Sequence, residues 1–504
     1  MTSKIRFMVT ASLVLGILMQ ALDTTIANVA LPYMQGSVSA SQDEIAWVLT
    51  SYLVTSAIMT PPSAFFATRF GVKRVLLVSI AGFIVASMLC GAAHSLTQIV
   101  VFRCLQGAFG APLIPLAQSV LFNINPPDRR GQAMATFSMV IMLAPVLGPV
   151  LGGLLTSDFT WRAVFYINLP LGVLAFIGVL FFLPATKPNT GFKLDWLGFG
   201  TLSIAIGALQ ILLDRGTEQD WFSSREIIIE TIIGGAAFYL FIAHIFTARK
   251  PFVRPALFAN RSFSAATLFV VSLGVTSYAA LSLQPPFLQE LAHEPIVTAG
   301  LVMGPRGIGT VVSILLTGRL IGKVDSRIIL FVGLIVTAWA FYIMSGWTQD
   351  VSIPTIIYAG VIQGFGSGAT MVPLTTLALS TIALEHRPEA SSIYTLARTI
   401  GSGVGVSIVN GLFSNNVQIN HAEIASAVTA FNRQLAPPHI AAFWSPATAS
   451  GSAALDAVIN QQAQVISYND DYKLLMILTL IALPLLFFLG KSNQQTTVSE
   501  ALAE

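Results

Sequence analysis

The stretch Ala133–Leu155 carries no charged residue, and its centre reads APVLGPVLGG, residues 144–153. Two prolines and three glycines fill those ten positions. In a water-soluble helix an interior Gly costs about 1 kcal/mol and an interior Pro about 3. In lipid the accounting changes, because small residues let helices approach closely and neighbouring helices re-satisfy carbonyls freed by proline. The run is one of fourteen apolar stretches near the length of a membrane-crossing helix: 7–31, 46–67, 73–94, 98–122, 132–156, 163–184, 196–213, 226–247, 264–289, 298–321, 327–347, 353–381, 393–414 and 472–490. Barrel strands would be about half as long. The expected fold class is therefore an all-α membrane protein with 14 transmembrane helices.

Composition agrees. Of 504 residues, 54% are hydrophobic and 10% charged, against roughly 25% charged in soluble domains. A soluble globule could not bury so much apolar surface. The first run follows Lys4 and Arg6 but is too long for a signal-peptide core, and Asp23 interrupts it, so it reads as a retained span. Cys90 and Cys104 both lie in apolar runs, which argues against a disulfide framework.

Lys and Arg set the orientation. With both ends inside, and residues at span ends counted with the adjoining segment, 18 of them fall on the inner side, 5 on the outer side, and Arg103, Arg306 and Arg398 lie deep within spans. This predicts cytoplasmic termini, a polar periplasmic loop at 415–471 and a cytoplasmic tail at 491–504. An internal repeat divides the spans. LQGAFGAPLIPL (105–116) matches IQGFGSGATMVPL (362–374), and Gln106 and Arg130 recur as Gln363 and Arg387 at one offset of 257. TRFGVKRVLL (68–77) is echoed more weakly by GKVDSRIILF (322–331). The expected domains are a six-helix bundle at 1–186, two inserted helices at 187–250 and a second six-helix bundle at 251–490. Parallel halves of this kind are a transporter plan.

Charges within spans are costly and usually functional. Asp23 shares a helix face with Gln20. Desolvation there would favour the protonated carboxyl, which suits proton exchange, and the acid could also meet a cationic substrate; a fixed structural ion-pair or hydrogen-bond partnership is the competing reading. Arg103 and Gln106 form a similar pair on the fourth span. Arg103 could stabilise a nearby carboxylate, attract an anion, or brace backbone carbonyls. Arg306 and Arg398 could make a central cavity electropositive, or snorkel to an interface. In 144–153, Gly148 and Gly152 form one stripe, Pro145 and Pro149 another, and Gly153 adds a third small residue. Gly401 and Gly405 repeat the spacing in the span 393–414, which is the expected packing partner of 144–153. GSGVGV (401–406) and GFGSGA (364–369) follow no strand, so they read as helix contacts rather than nucleotide loops. No P-loop, metal-type His/Cys cluster or catalytic domain is legible, and nothing points to nucleic acid. An enzyme is not expected; any uphill movement would draw on an ion gradient rather than a cofactor.

Several motifs resemble the major facilitator superfamily. APVLGPVLGG is similar to the superfamily's antiporter signature, with Ala144 for its first Gly, and RCLQGAFGA (103–111) resembles the fourth-helix motif. LDTTIANVALP (22–32) is similar to the first-helix signature of the fourteen-span drug:proton antiporters. LDRGTEQDWFSS (213–224) and WRAVFYINLPLG (161–172) resemble EmrB-type exporters. AFFATRFGVKR (64–74) keeps Arg69, Gly71, Lys73 and Arg74 of the loop motif but has Ala64 for Gly and Thr68 for Asp, which puts the usual charge lock in doubt. The resemblance implies a 6 + 2 + 6 major facilitator fold in the bacterial inner membrane. It also implies proton-driven efflux of hydrophobic or amphipathic drugs by alternating access, with no cofactor beyond the proton gradient. A periplasmic adaptor and an outer-membrane channel are the implied partners, with 415–471 as the place of adaptor contact. A dedicated exporter of one metabolite, fatty acid or siderophore would carry much the same signatures; a lipid flippase or membrane enzyme fits less well. The charge asymmetry predicts that single cysteines placed in 415–471 label only from outside the cell, and labelling from the cytoplasm would overturn the topology.

Overall fold

The computed structural model describes residues 2–186, 188–189, 194–216, 219–248, 251–428 and 448–489, the side chains of Gln42, Asp43, Val146, Pro149, Ile296 and Val297 excepted. Lys187, Lys193, Arg433, the tail 491–504 and the middle of 415–471 lie outside these residues. The regular structure of the described residues is helical, apart from an isolated bridge between Ile321 and Val324. The first six rods are α1 (Ser3–Val38), α2 (Gln42–Met59, resuming at Pro62–Phe70), α3 (Val72–Ala92), α4 (Leu96–Gly110 and Leu113–Ile124), α5 (Arg130–Asp158) and α6 (Ala163–Tyr166 and Asn168–Phe182). Next come α7 (Trp196–Arg215) and α8 (Arg225–Thr247). The last six are α9 (Arg261–Pro286), α10 (Ile296–Met303 and Pro305–Leu320), α11 (Ser326–Met344), α12 (Ile353–Ser380), α13 (Arg387–Ser426) and α14 (Ala449–Ile481).

Twelve of the described helices are long and apolar enough to cross a membrane, and a thirteenth is the bent pair within α5. The expected second span is shorter as an apolar helix, Glu44–Met59, because the chain breaks at Thr60–Pro61 and Pro cannot continue the hydrogen-bond ladder.

Packing follows the repeat. In the first six helices, α1 lies on α5 and α6, α4 on α2 and α3, and α3 on α6; in the last six, α9 lies on α13 and α14, α12 on α10 and α11, and α11 on α14. The two sets meet where α5 packs on α10 and α12, and where α13 packs on α4 and the second piece of α2. α7 bridges both sets through α2 and α13, and α8 packs on α7. Two turns that echo each other in sequence also share a backbone conformation: φ is +90° at Gly71 and +89° at Gly322. At Gly71 a side chain would be strained, and its Cβ would stand 2.9 Å from the carbonyl oxygen of Thr186.

The segment 415–471 differs from the expected loop. Helix α13 continues to Ser426 and α14 begins at Ala449. At 1.5 Å per residue the 40 residues of α13 reach roughly 60 Å, about twice a bilayer's apolar core. The two extensions are joined by His421 to Asp456 at 2.9 Å and by Asn420 to Ser467 at 3.1 Å. Polar side chains disqualify these stretches as spans but not as helices.

The small-residue stripe of 144–153 packs elsewhere than expected. Helix α5 bends by 47° between its Pro127–Pro145 and Val150–Asp158 pieces. A Cβ at Gly148 would run into Thr25, and one at Gly152 would meet Ile26 and Val29, each at 3.2 Å. The partner is α1, not the span 393–414. Gly401 and Gly405 of α13 lie instead on the backbone of Val271 and Val275 in α9. Equivalent stripes in a duplicated bundle take equivalent seats, each against the first helix of its own set. Gly153 faces open space. Replacing Gly148 with Ala is therefore expected to cost about 1–3 kcal/mol through overpacking, read as a lower thermal unfolding midpoint, while Gly153→Ala leaves the midpoint unchanged.

Candidate functional site

Asp23 and Arg103 meet in the middle of the first helix set. Both are buried, with side chains 1% and 0% exposed, and Arg103 Nη1 donates to Asp23 Oδ2 at 2.5 Å. Arg103 Nη1 also donates to Gln106 Oε1 at 2.9 Å, and Gln106 Nε2 donates to Asp23 Oδ1 at 2.7 Å. The three-residue spacing of Arg103 and Gln106 points both at one carboxylate. A third donor, Asn168 Nδ2, reaches Asp23 Oδ1 at 2.8 Å and Ser87 Oγ at 3.0 Å. Arg103 Nε donates to the Val48 carbonyl at 2.9 Å, and its guanidinium carbon stands 4.3 Å from the centre of the Tyr52 ring. Asp23 thus faces three N–H donors, the partner set of an ionised carboxylate, which only accepts. The network ties together α1, α2, α3, α4 and α6.

Gln20 is buried beside this network on the Asp23 face, yet its Oε1 has no hydrogen-bond partner. Arg306 and Arg398 stand apart in the last six helices. Arg306 Nη1 is buried without a partner, and Arg398 is half-buried. The repeat explains what is missing there. Thr25 against Gly148 and Val275 against Gly405 set the register of the first helices, which puts Leu273 at the position of Asp23. The offset of 257 puts Gly360 at the position of Arg103 and Gln363 at that of Gln106. Gln363 accepts from Gln284 at 3.5 Å. The ion pair therefore belongs to one half.

Sequence reasoning missed three members of the network. Asn168 lies within the quoted motif 161–172, where an amide in an apolar run was the available signal. Ser87 and Tyr52 carried none, because small hydroxyls and tyrosines are common in spans. Buried Asp471 of α14, whose Oδ2 lacks a partner, was also missed because its stretch read as loop.

The loop after α2 is held without an acid at position 68. Thr68's carbonyl accepts from the Asn189 N–H at 2.9 Å, and the Val72 N–H donates to Thr186 Oγ1 at 2.9 Å. Arg69 lies over the ring of Phe70 at 5.8 Å; Lys73 and Arg74 follow on the first turn of α3. One backbone bond from Asn189 and one bond to the Thr186 hydroxyl thus tie this loop to the chain after α6.

This end of the bundle gathers the basic turns and is closed between the two helix sets. Ser63 bonds Ser392 at 2.8 Å, Ser391 donates to Gln118 at 2.5 Å, and Arg387 Nη1 donates to Asn123 at 2.6 Å. The same end holds a cavity of about 1100 Å³, lined by Phe65, Thr68, Asn123, Asp195, Arg254 and Glu389 among others. Burial pushes the pKa of Asp195 up, but N–H groups of Gly198 and Phe252 and the His244 ring pull it below its ordinary value. Asp23 and Arg103 do not line this cavity.

Removing one member of a buried ion pair strands the other and costs about 3–5 kcal/mol. Arg103→Gln is expected to lower the thermal unfolding midpoint sharply. The pair D23N/R103Q, neutral and still able to hydrogen-bond, is expected to recover most of the loss.

Comparison with known proteins places this geometry. The family model of the Major Facilitator Superfamily matches residues 13–432. The chain is 35% identical over 491 residues to the multidrug export protein EmrB of Escherichia coli K12, covering 95% of this chain and 94% of EmrB. It is also 35% identical to the fatty acid resistance protein FarB of Neisseria gonorrhoeae, covering 95% of each. Among solved structures, a double-tryptophan mutant of XylE covers 100% of both chains with a TM-score of 0.65 at 12% identity. The human organic anion transporter MFSD10 covers 95% of this chain and 99% of its own, with a TM-score of 0.61 at 14% identity. These last two bear on the fold alone. The chain belongs to the Major Facilitator Superfamily, as an EmrB-like multi-pass protein of the bacterial inner membrane.

Proposed function

We propose that this protein is a proton-coupled multidrug exporter that moves hydrophobic or amphipathic compounds out of the cell by alternating access. The observation that carries the reading is the Asp23–Arg103–Gln106–Asn168 network. A carboxylate locked by three donors in one conformation is free to take a proton in another that pulls a donor away, and that difference is what couples a proton to a conformational change. Closure at the basic end through Ser63, Gln118 and Asn123 is consistent with a cycle in which the two helix sets separate there to admit substrate. In this reading the close seat of Gly148 on Thr25 is where α5 shifts against α1 during the cycle. The similarity to EmrB supports multidrug substrates. The paired extensions of α13 and α14 offer a rigid surface for a periplasmic adaptor, which in turn would reach an outer-membrane channel. The driving force in this reading is the proton gradient, with no cofactor.

A dedicated exporter of a fatty-acid-like anion is the second reading. It is favoured by FarB's equal identity and by the unpartnered Nη1 of Arg306, which suits a carboxylate.

In proteoliposomes, adding a drug substrate to the wild type is expected to release protons, and D23N/R103Q is expected to abolish that release while the protein remains folded by size-exclusion profile. Wild-type proton release by the double variant at matched protein would rule out the coupling role. Proton release driven by long-chain fatty acids but by no cationic drug would select the second reading.

A further inference from the structure

Arg130 and Arg387 stand at matching positions of the repeat, 257 residues apart, and they meet on one aromatic ring. Each opens a long helix directly after a short 3₁₀ turn, Pro127–Arg129 before α5 and Leu384–His386 before α13. Neither helix has a side-chain N-cap, and each arginine is the first residue of its helix, at the positive end of the helix dipole. The guanidinium carbon of Arg130 lies 4.8 Å from the centre of the buried Phe122 ring and that of Arg387 lies 4.9 Å from it. The two charges are therefore within about 10 Å of each other.

Among the described residues, no carboxylate pairs with them within 4.0 Å. The acids close by in sequence are engaged elsewhere: Asp128 with Arg129 at 3.7 Å, Glu385 with His386 at 3.3 Å, and Glu389 with the backbone N–H of Arg254 at 2.9 Å. Arg387 is only 8% exposed, with Nε given to the Ile382 carbonyl and Nη1 to Asn123. Arg130 Nε is buried and makes no hydrogen bond. The Phe122 ring offsets part of each charge but supplies no anion. Arg130 belongs to the first helix set and Arg387 to the last, so whatever joins them joins the halves at their closed end.

We propose that Arg130 and Arg387 form a seat for a phosphate group, which clamps the two halves together at the basic end. Guanidinium groups bind phosphate oxygens through paired N–H donors, and helix N-termini favour the same ligand. Two sources share this chemistry, the headgroup of an anionic phospholipid and free phosphate. A phosphate held by both arginines binds the closed arrangement better than one in which they separate, and so shifts the population toward closure.

The test uses full-length protein in dodecyl maltoside micelles and phosphate-free buffer, with cysteines replacing Ser63 and Ser392, whose side chains touch at this end. Disulfide formation between them reads closure. Phosphatidylglycerol or inorganic phosphate is then added. The expected result is a rise in cross-linking rate of about fivefold or more, the lower range for coupled sites, and its loss in R130Q. A rise with phosphatidylglycerol alone identifies a lipid headgroup; a rise with inorganic phosphate alone, or with both, identifies a seat open to the free ion. R130Q is the decisive variant, since Arg387 also braces Ile382 and Asn123, and R130K should keep part of the response. No rise with either ligand, or an equal rise in R130Q, overturns the proposal.

Discussion

Close contact between helix backbones is the constraint on which the rest of this structure depends. In a bilayer, apolar side chains gain little by leaving lipid for a neighbouring helix, so association rests on packing, hydrogen bonds and the fit of small residues. Gly148 against Thr25 and Gly405 against Val275 are the same joint made twice, between the first and fifth helices of each set. The prolines and glycines that would ruin a soluble helix serve here as a bend and a flat seat. Once α5 sits tightly on α1, the carboxylate of Asp23 is set on the side facing α4 and α6, and the polar network forms around it.

Electrostatics breaks the symmetry that packing establishes. The first set holds a buried ion pair whose carboxylate accepts from three donors, while Leu273 and Gly360 occupy the corresponding places in the second. The halves therefore share a frame but not a chemistry. At the basic end the reverse holds: matching arginines from the two halves converge on Phe122, and among the described residues neither is in an ion pair. One charged site is paired within a half, and the other is shared between halves.

The fold class was legible because lipid imposes a length and a composition on every span, and these are visible residue by residue. The repeat was legible because Gln106, Arg130, Gln363 and Arg387 keep one offset. Asp23, Arg103 and Gln106 could be singled out because polar groups in apolar runs are rare. Their joining could not, since Asp23 and Arg103 are 80 residues apart and several helix arrangements satisfy the same periodicity. The partner of Gly148 and Gly152 was misread for the same reason: matching glycine spacing marks a flat face without naming what lies against it.

The sequence by itself determined that this chain is a duplicated helical membrane protein with a few costly polar residues in its spans, because hydrophobicity and spacing are local properties. Only the tertiary structure decided which of those residues neutralise one another, that Asn168 completes the Asp23 network, that 415–426 and 449–471 are helical, and that Arg130 and Arg387 share a ring. Apart from that helicity, each of these depends on the rotation and depth of one helix relative to another. Backbone approach at small residues sets those quantities, and no single segment encodes them.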